Sequence, residues 1–216
     1  MLRIDALDVA LESVGILRGV SLTVGAGRFA GLIGRNGAGK TTLMRSIMGI
    51  LPWRAGGISF NGSPLAGVPV HARTRLGIGY MPEDRRLIPE LTVEENVLLP
   101  AWSTGAADAD ARLQRVYALI PEVGGFAGRK AMQLSGGQQK LVALARALMC
   151  GDKLLLLDEP FEGVAPVLAR RLADVIAGLK RAGLTVILSA SSLTHARELL
   201  DDVFEIDRGV IARKGG

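Results

Sequence analysis

Hydrophobic and polar positions alternate at the start of the chain. Leu2 to Val9 and Val20 to Val24 read as strands of an antiparallel edge layer. Phe29 to Ile33 is a short apolar run, the pattern of a buried strand, and Leu43, Ile47 and Ile50 then recur at helical spacing. Ile58 to Phe60 leads into Asn61-Gly62, a tight-turn signal. Ile78 to Met81 predicts a strand ended by Pro82, followed by helices over Val93 to Leu99 and about Asp108 to Ile120. Thr92 and Glu95 have the spacing of a capping box for the first of these helices. Leu141, Leu144, Ala145 and Leu148 form one face of a further helix, and Leu154 to Leu157 is continuously apolar, as in a parallel sheet covered on both faces. The remainder predicts a helix (Val167 to Lys180), a strand (Leu184 to Leu188), a helix (Leu193 to Leu200) and a strand (Val203 to Ile206), punctuated by Gly183 and Gly209. Strands alternating with helices predict an α/β domain with a mainly parallel sheet.

Between the Phe29 to Ile33 strand and the helix after it lies Gly34-Arg35-Asn36-Gly37-Ala38-Gly39-Lys40-Thr41-Thr42, which satisfies G-x-x-x-x-G-K-[ST] at every fixed position. Small residues let the backbone curl so that successive N–H groups face an anion, and the following helix adds the positive end of its dipole. Lys40 can then reach the β- and γ-phosphates of a nucleotide, and the Thr41 hydroxyl can ligate Mg²⁺. A second cradle, Ser135-Gly136-Gly137-Gln138, follows Leu134 and opens a helix. The four leucines from Leu154 run into Asp158-Glu159-Pro160, at the strand end where α/β folds place ligands. The expected roles are Mg²⁺ binding for Asp158 and polarisation of an attacking water for Glu159.

This order of phosphate loop, LSGGQ, helix, apolar strand and Asp-Glu-Pro resembles the nucleotide-binding subunits of ABC transporters, over essentially the whole chain. The resemblance implies a P-loop ABC-type ATPase domain over residues 1–216. It implies a mainly parallel core sheet, an antiparallel β edge layer and a small α-helical subdomain at about 85–135 that faces membrane subunits. It also implies that Ser135 to Gln138 close over ATP held by a second ATPase subunit in a head-to-tail dimer. A finer resemblance, to the shorter ATPase subunit of branched-chain amino-acid-type importers, rests on three segments: 82–86 running on to 89–96, Arg115-Val116-Tyr117 with Ile120-Pro121, and 160–166. Importers of that type pair two ATPase subunits with transmembrane permeases and a periplasmic solute-binding protein. Their cargoes include branched-chain amino acids, urea or amides, and small organic acids.

Four positions depart from the general ABC pattern. Leu11 stands where an aromatic ring usually stacks on adenine, so about 1 kcal/mol of stacking is lost and base selectivity is expected to be weak. Glu83 replaces the usual Mg²⁺-sensing glutamine and can still offer an oxygen to the metal. Ala165 replaces the aspartate of the dimer-contact loop. Ser191 aligns with the histidine that contacts the γ-phosphate, while His195 lies four residues further on and is expected on the next helix. A serine can donate a hydrogen bond but carries no positive charge, and losing such a contact costs about 2–4 kcal/mol of transition-state stabilisation. The chain's own site is therefore expected to turn over slowly or to depend on its partner.

Composition changes little in this picture. The chain of 216 residues, 49% apolar and only 4% aromatic, suits an aliphatic-packed α/β core, and no apolar run approaches the roughly 20 residues a bilayer span needs. The start of the chain alternates and lacks a secretory signal's apolar core, so the subunit is expected to be cytoplasmic, peripheral on the inner face of the cell membrane. The net charge of +5 is scattered, and nucleic acid is not an expected partner. Cys150, the sole cysteine, reads as a buried structural thiol, His71 as a surface residue, and Trp53 and Trp102 as packing residues in loops. Two alternatives stay open at this stage: a soluble ABC ATPase acting on DNA or ribosomes, and a nucleotide-binding subunit with a degenerate, slowly hydrolysing site.

Overall fold

The computed structural model describes residues 1–194 and 196–214. Leu2–Leu11 (β1) and Val14–Val24 (β2) pair antiparallel, and β1 also pairs with Ala55–Phe60 (β4), which turns at Asn61-Gly62 into the short Ser63–Pro64 (β5). This four-stranded sheet runs β2-β1-β4-β5. The inward face of β1 is Leu2, Ile4, Leu7 and Val9, so the alternation slips by one residue at Asp5-Ala6. A register shift there absorbs the extra residue, as a β-bulge does, and keeps the apolar set on one face.

The second sheet joins Phe29–Ile33 (β3), Ile78–Met81 (β6), Leu154–Leu157 (β7), Thr185–Ala190 (β8), Asp202–Asp207 (β9) and Val210–Lys214 (β10) in the order β10-β9-β3-β8-β7-β6. All its pairings are parallel except the β9–β10 hairpin, whose second strand the sequence pattern did not announce. Side chains alternate between two cores across this sheet. Leu155 and Leu157 of β7 face one side with Val186 and Leu188 of β8. Leu154, Leu156 and Ile187 face the other, against the antiparallel sheet and Leu43, Met44 and Ile47 of the helix Lys40–Ile47 (α1).

The helical side carries Val93–Thr104 (α3), Ala109–Leu119 (α4), Pro121–Gly125 (α5), Gly136–Leu148 (α6) and Pro166–Arg181 (α7), while Val70–Arg75 (α2) precedes β6. The Thr92–Glu95 capping box is present at the start of α3. That helix runs five residues beyond the expected Leu99, through Pro100, whose carbonyl accepts the Thr104 hydroxyl at 2.8 Å. Trp102 consequently lies on α3, 54% exposed, rather than packed in a loop. Trp53 is half-buried, with the Arg73 guanidinium over its ring at 5.5 Å.

Two other expectations are corrected. Helix α1 stops at Ile47, short of Ile50, because Gly49 takes φ +75° and Arg73 takes up the last carbonyls. No α-helix forms over Leu193 to Leu200 among the described residues: the segment is irregular, with a single 3₁₀ turn at Arg197–Leu199. Among the described residues its only fully buried apolar anchor is Ala196, with Leu199 and Leu200 half-buried beside it, too little to hold an amphipathic helix against the core. His195 lies outside the described residues. Cys150 is buried, and His71 is exposed on α2.

Candidate functional site

The ends of β3, β7 and β8 bring the motifs together. Gly34 leaves β3 with its N–H donating to the Ala190 carbonyl at the end of β8, at 3.2 Å. A side chain at Gly34 would put its Cβ 2.3 Å from the Ile206 carbonyl oxygen, so only glycine fits. Gly39 caps α1 at φ +112°, with Leu17 of β2 against it. The β9–β10 turn props the loop from behind: Gly209 N–H donates to the Ala38 carbonyl at 3.0 Å, and its own carbonyl accepts from Arg18 of β2 at 2.9 Å. Arg35, Asn36 and Gly37 are exposed, while Thr41 and Thr42 lie half-buried on the first turn of α1.

Lys40 is 5% exposed. Its Nζ donates to the Gly34 and Arg35 carbonyls at 2.5 and 3.0 Å and pairs with Glu159 Oε1 at 3.0 Å. The Glu159 carboxylate is further held by Ser191, whose hydroxyl lies 2.8 Å from Oε1 and whose N–H donates to Oε2 at 3.2 Å. The same Ser191 hydroxyl is 2.9 Å from Asn36 Oδ1 on the phosphate loop. With one proton, it serves one of these two acceptors at a time.

Asp158 is fully buried at the end of β7. Ser189 Oγ donates to its Oδ1 at 2.7 Å and the Tyr80 hydroxyl to its Oδ2 at 3.2 Å. Burial and the Asp158 charge push the Tyr80 phenol well above its ordinary pKa, so it remains a donor. Ser189 also accepts the Glu159 N–H at 3.0 Å, so one hydroxyl fixes both acidic residues. Glu159 itself adopts the left-handed region at φ +46°, which is uncommon outside glycine.

The structure therefore joins Gly34, Arg35, Asn36, Lys40, Glu159 and Ser191 by direct hydrogen bonds and seats Asp158 on the adjoining residue. Three predicted residues or groups stand apart. Leu11 ends β1 opposite Val14 at the tip of the first hairpin and is exposed. Glu83 is exposed on the turn after β6, along a charged cavity of about 440 Å³ that it shares with Arg45, Lys140 and Glu162. Ser135 to Gln138 open α6 through a capping box, and at Gly137 a Cβ would displace the Leu168 Cδ2 methyl, which lies 2.0 Å from its position. Among the described residues, no hydrogen bond or ion pair joins that cradle to Gly34 to Thr42. Sequence reasoning missed Ser189, Tyr80 and Lys140. A serine directly after the apolar run Val186 to Leu188 of β8 was the available signal for the first.

The arrangement combines a glycine-opened turn at a helix N-terminus, a buried ammonium paired with a carboxylate, and a hydroxyl on the first helical turn. That donor set fits a nucleotide triphosphate and a divalent ion. The chain belongs to the ABC transporter family, which it matches over residues 17–162. It is an ATP-binding subunit of that family, with ATP hydrolysis coupled to transport. Two similar proteins are the high-affinity branched-chain amino acid transport ATP-binding protein BraG of Pseudomonas aeruginosa and the lipopolysaccharide export system ATP-binding protein LptB of Escherichia coli. The first is 36% identical over 98% of this chain and 91% of its own, the second 33% identical over 97% and 88%. A crystal structure of a nucleotide-free ATP-binding cassette from an ABC transporter superposes with a TM-score of 0.88 at 28% identity, covering all of this chain and 91% of that one. ATPases of this family work as dimers with transmembrane permease partners. Among the described residues, no helix is long and apolar enough to cross a membrane.

Proposed function

We propose that this chain powers an ABC importer for branched-chain amino acids or related small polar or organic-acid solutes. It would sit on the cytoplasmic face of the membrane, in a head-to-tail pair with a second, different ATPase subunit. A periplasmic solute-binding protein would deliver the cargo to the permeases. The observation that carries the ATPase assignment is the convergence of Lys40, Ser191 and Glu159 at the mouth of the phosphate loop. The cargo class is supported by the likeness to BraG and to a probable branched-chain amino acid transport ATP-binding protein LivF of Archaeoglobus fulgidus, 32% identical over the whole chain.

In this reading residues 1–216 are one ATPase domain, and about 85–135 are the helical part that meets the permeases. The backbone of Gly34 to Thr42 and the Lys40 ammonium bind the phosphates, with the base against Leu11. Thr41, Asp158 and, from its exposed turn, Glu83 would hold Mg²⁺, which would neutralise phosphate charge. Glu159 orients and polarises the attacking water, and Ser191 steadies its carboxylate. Ser135, Gly136, Gly137 and Gln138 complete the site of the partner subunit. A second reading, export of a lipid-linked saccharide, is favoured by the likeness to LptB.

Steady-state ATP hydrolysis is the test, with the chain alone and mixed with its partner ATPase subunit and permeases. Glu159→Gln in this chain is expected to cost about 10²-fold or more wherever its own site contributes. Wild-type turnover in Glu159→Gln, both alone and mixed, would remove the proposed base. Stimulation by a solute-loaded binding protein separates import from export.

A further inference from the structure

We infer that Lys140 is a positioning residue for Glu159, so that the helix opening with Ser135-Gly136-Gly137 sets the aim of this chain's own general base. The inference rests on the assignment of Glu159 proposed above. Lys140 lies on the second turn of α6 and is 5% exposed. Its Nζ donates to the Glu159 backbone carbonyl at 2.7 Å. No step assigned to the site uses this ammonium, yet burying it is costly unless its position is used.

The need for it follows from the backbone of Glu159. A left-handed glutamate is strained and persists only where its surroundings hold it. Ser189 fixes the N–H side of that residue at 3.0 Å. On the carbonyl side the Glu162 N–H donates at 3.2 Å from an exposed turn, and Lys140 supplies the short, buried bond. Rotation about the N–Cα bond of Glu159, out of the left-handed region, would carry the carbonyl and Cβ together and swing the carboxylate away from Lys40 and Ser191. The ammonium therefore acts on the reaction through the backbone and touches no reacting atom.

Its surroundings keep it in place. Burial and the Arg85 charge lower its pKa, while the Glu162, Glu83 and Glu159 carboxylates oppose that shift. Arg45 and Asp84 line the same cavity. Four residues ahead of Lys140 on the same helix is Gly136, in the cradle assigned to the partner subunit's nucleotide. One rigid helix thus touches both: its start meets the partner's site, and its second turn grips the base of its own.

The test uses the full chain in the assembly that shows turnover, comparing Lys140→Met, Lys140→Gln, Lys140→Arg, Glu159→Gln and the double variant Glu159→Gln/Lys140→Met. Lys140→Met should lower kcat by about 10- to 100-fold, the scale of a displaced catalytic group, with KM for ATP and the thermal midpoint little changed. Lys140→Gln and Lys140→Arg, which retain a donor for the carbonyl, should recover most of that loss. The double variant should be no slower than Glu159→Gln alone. Wild-type kcat in Lys140→Met beside an inactive Glu159→Gln overturns the inference and leaves the base assignment standing. A raised KM and lowered midpoint that neither Lys140→Gln nor Lys140→Arg repairs also overturns it, in favour of simple packing. Full turnover in Glu159→Gln overturns both.

Discussion

Ser189 shows how much of the site depends on one small side chain. Its hydroxyl donates to Asp158 and accepts from the Glu159 N–H in a fully buried setting. Ser189→Ala leaves a charged carboxylate short of a donor and a peptide N–H without an acceptor, so a loss of about 2–4 kcal/mol is expected. A urea-unfolding midpoint, compared at unchanged m-value, measures it directly. The phosphate-loop residues were legible in the sequence because their demands are local: Gly34 and Gly39 are required by close approach and by φ, at fixed offsets from Lys40. Ser189, Tyr80 and Lys140 were not, because their partners lie 31, 78 and 19 residues away and meet them only once β6, β7 and β8 are adjacent and α6 packs on them.

At the scale of elements, α1 is held at both ends. Its start is the glycine turn that presents the loop N–H groups. Its end is closed by Arg73 of α2, buried, with Nη1 donating to the Ser46 and Ile47 carbonyls at 3.0 and 2.6 Å and the rest of the guanidinium serving Val68 and Leu65 at 2.9 Å each. Arg73→Ala strips four carbonyls of a charged donor and opens space beneath Trp53. It should cost about 3 kcal/mol or more, read by thermal or urea unfolding, with ATP binding impaired only as the fold weakens. The helical period alone carried α1 on to Ile50. A distant arginine capping the helix lies outside what a local pattern contains, and the same limit explains Leu193 to Leu200, where helical spacing was present but, among the described residues, only Ala196 is fully buried. The strands of the parallel sheet were readable because their apolar runs are short: β7 is four leucines, and β6 lies between Gly77 and Pro82.

The molecule as a whole is two cores divided by one sheet. Cys150 belongs to neither surface: burial pushes its thiol up to about 11, with Arg112 and Arg146 pulling the other way. Because the folded state holds this proton more tightly than the unfolded chain, its contribution to stability is complete below the ordinary thiol pKa of about 8.5 and is lost as pH rises towards 11. At pH 8 a thiol-reactive reagent is therefore expected to leave the native chain unlabelled and to modify it at the rate of opening. Labelling as fast as a free thiol would show that this side of the sheet is not closed.

The Lys40–Glu159 ion pair also means that the phosphate loop is never without an anion. The internal carboxylate is a tethered competitor, present at an effective concentration that dilution cannot lower. Any nucleotide arriving at Lys40 exchanges one negative partner for another, so its measured affinity is the difference between two attachments. The carboxylate thereby released is the one proposed to orient water, which makes arrival of the ligand and arming of the base a single event.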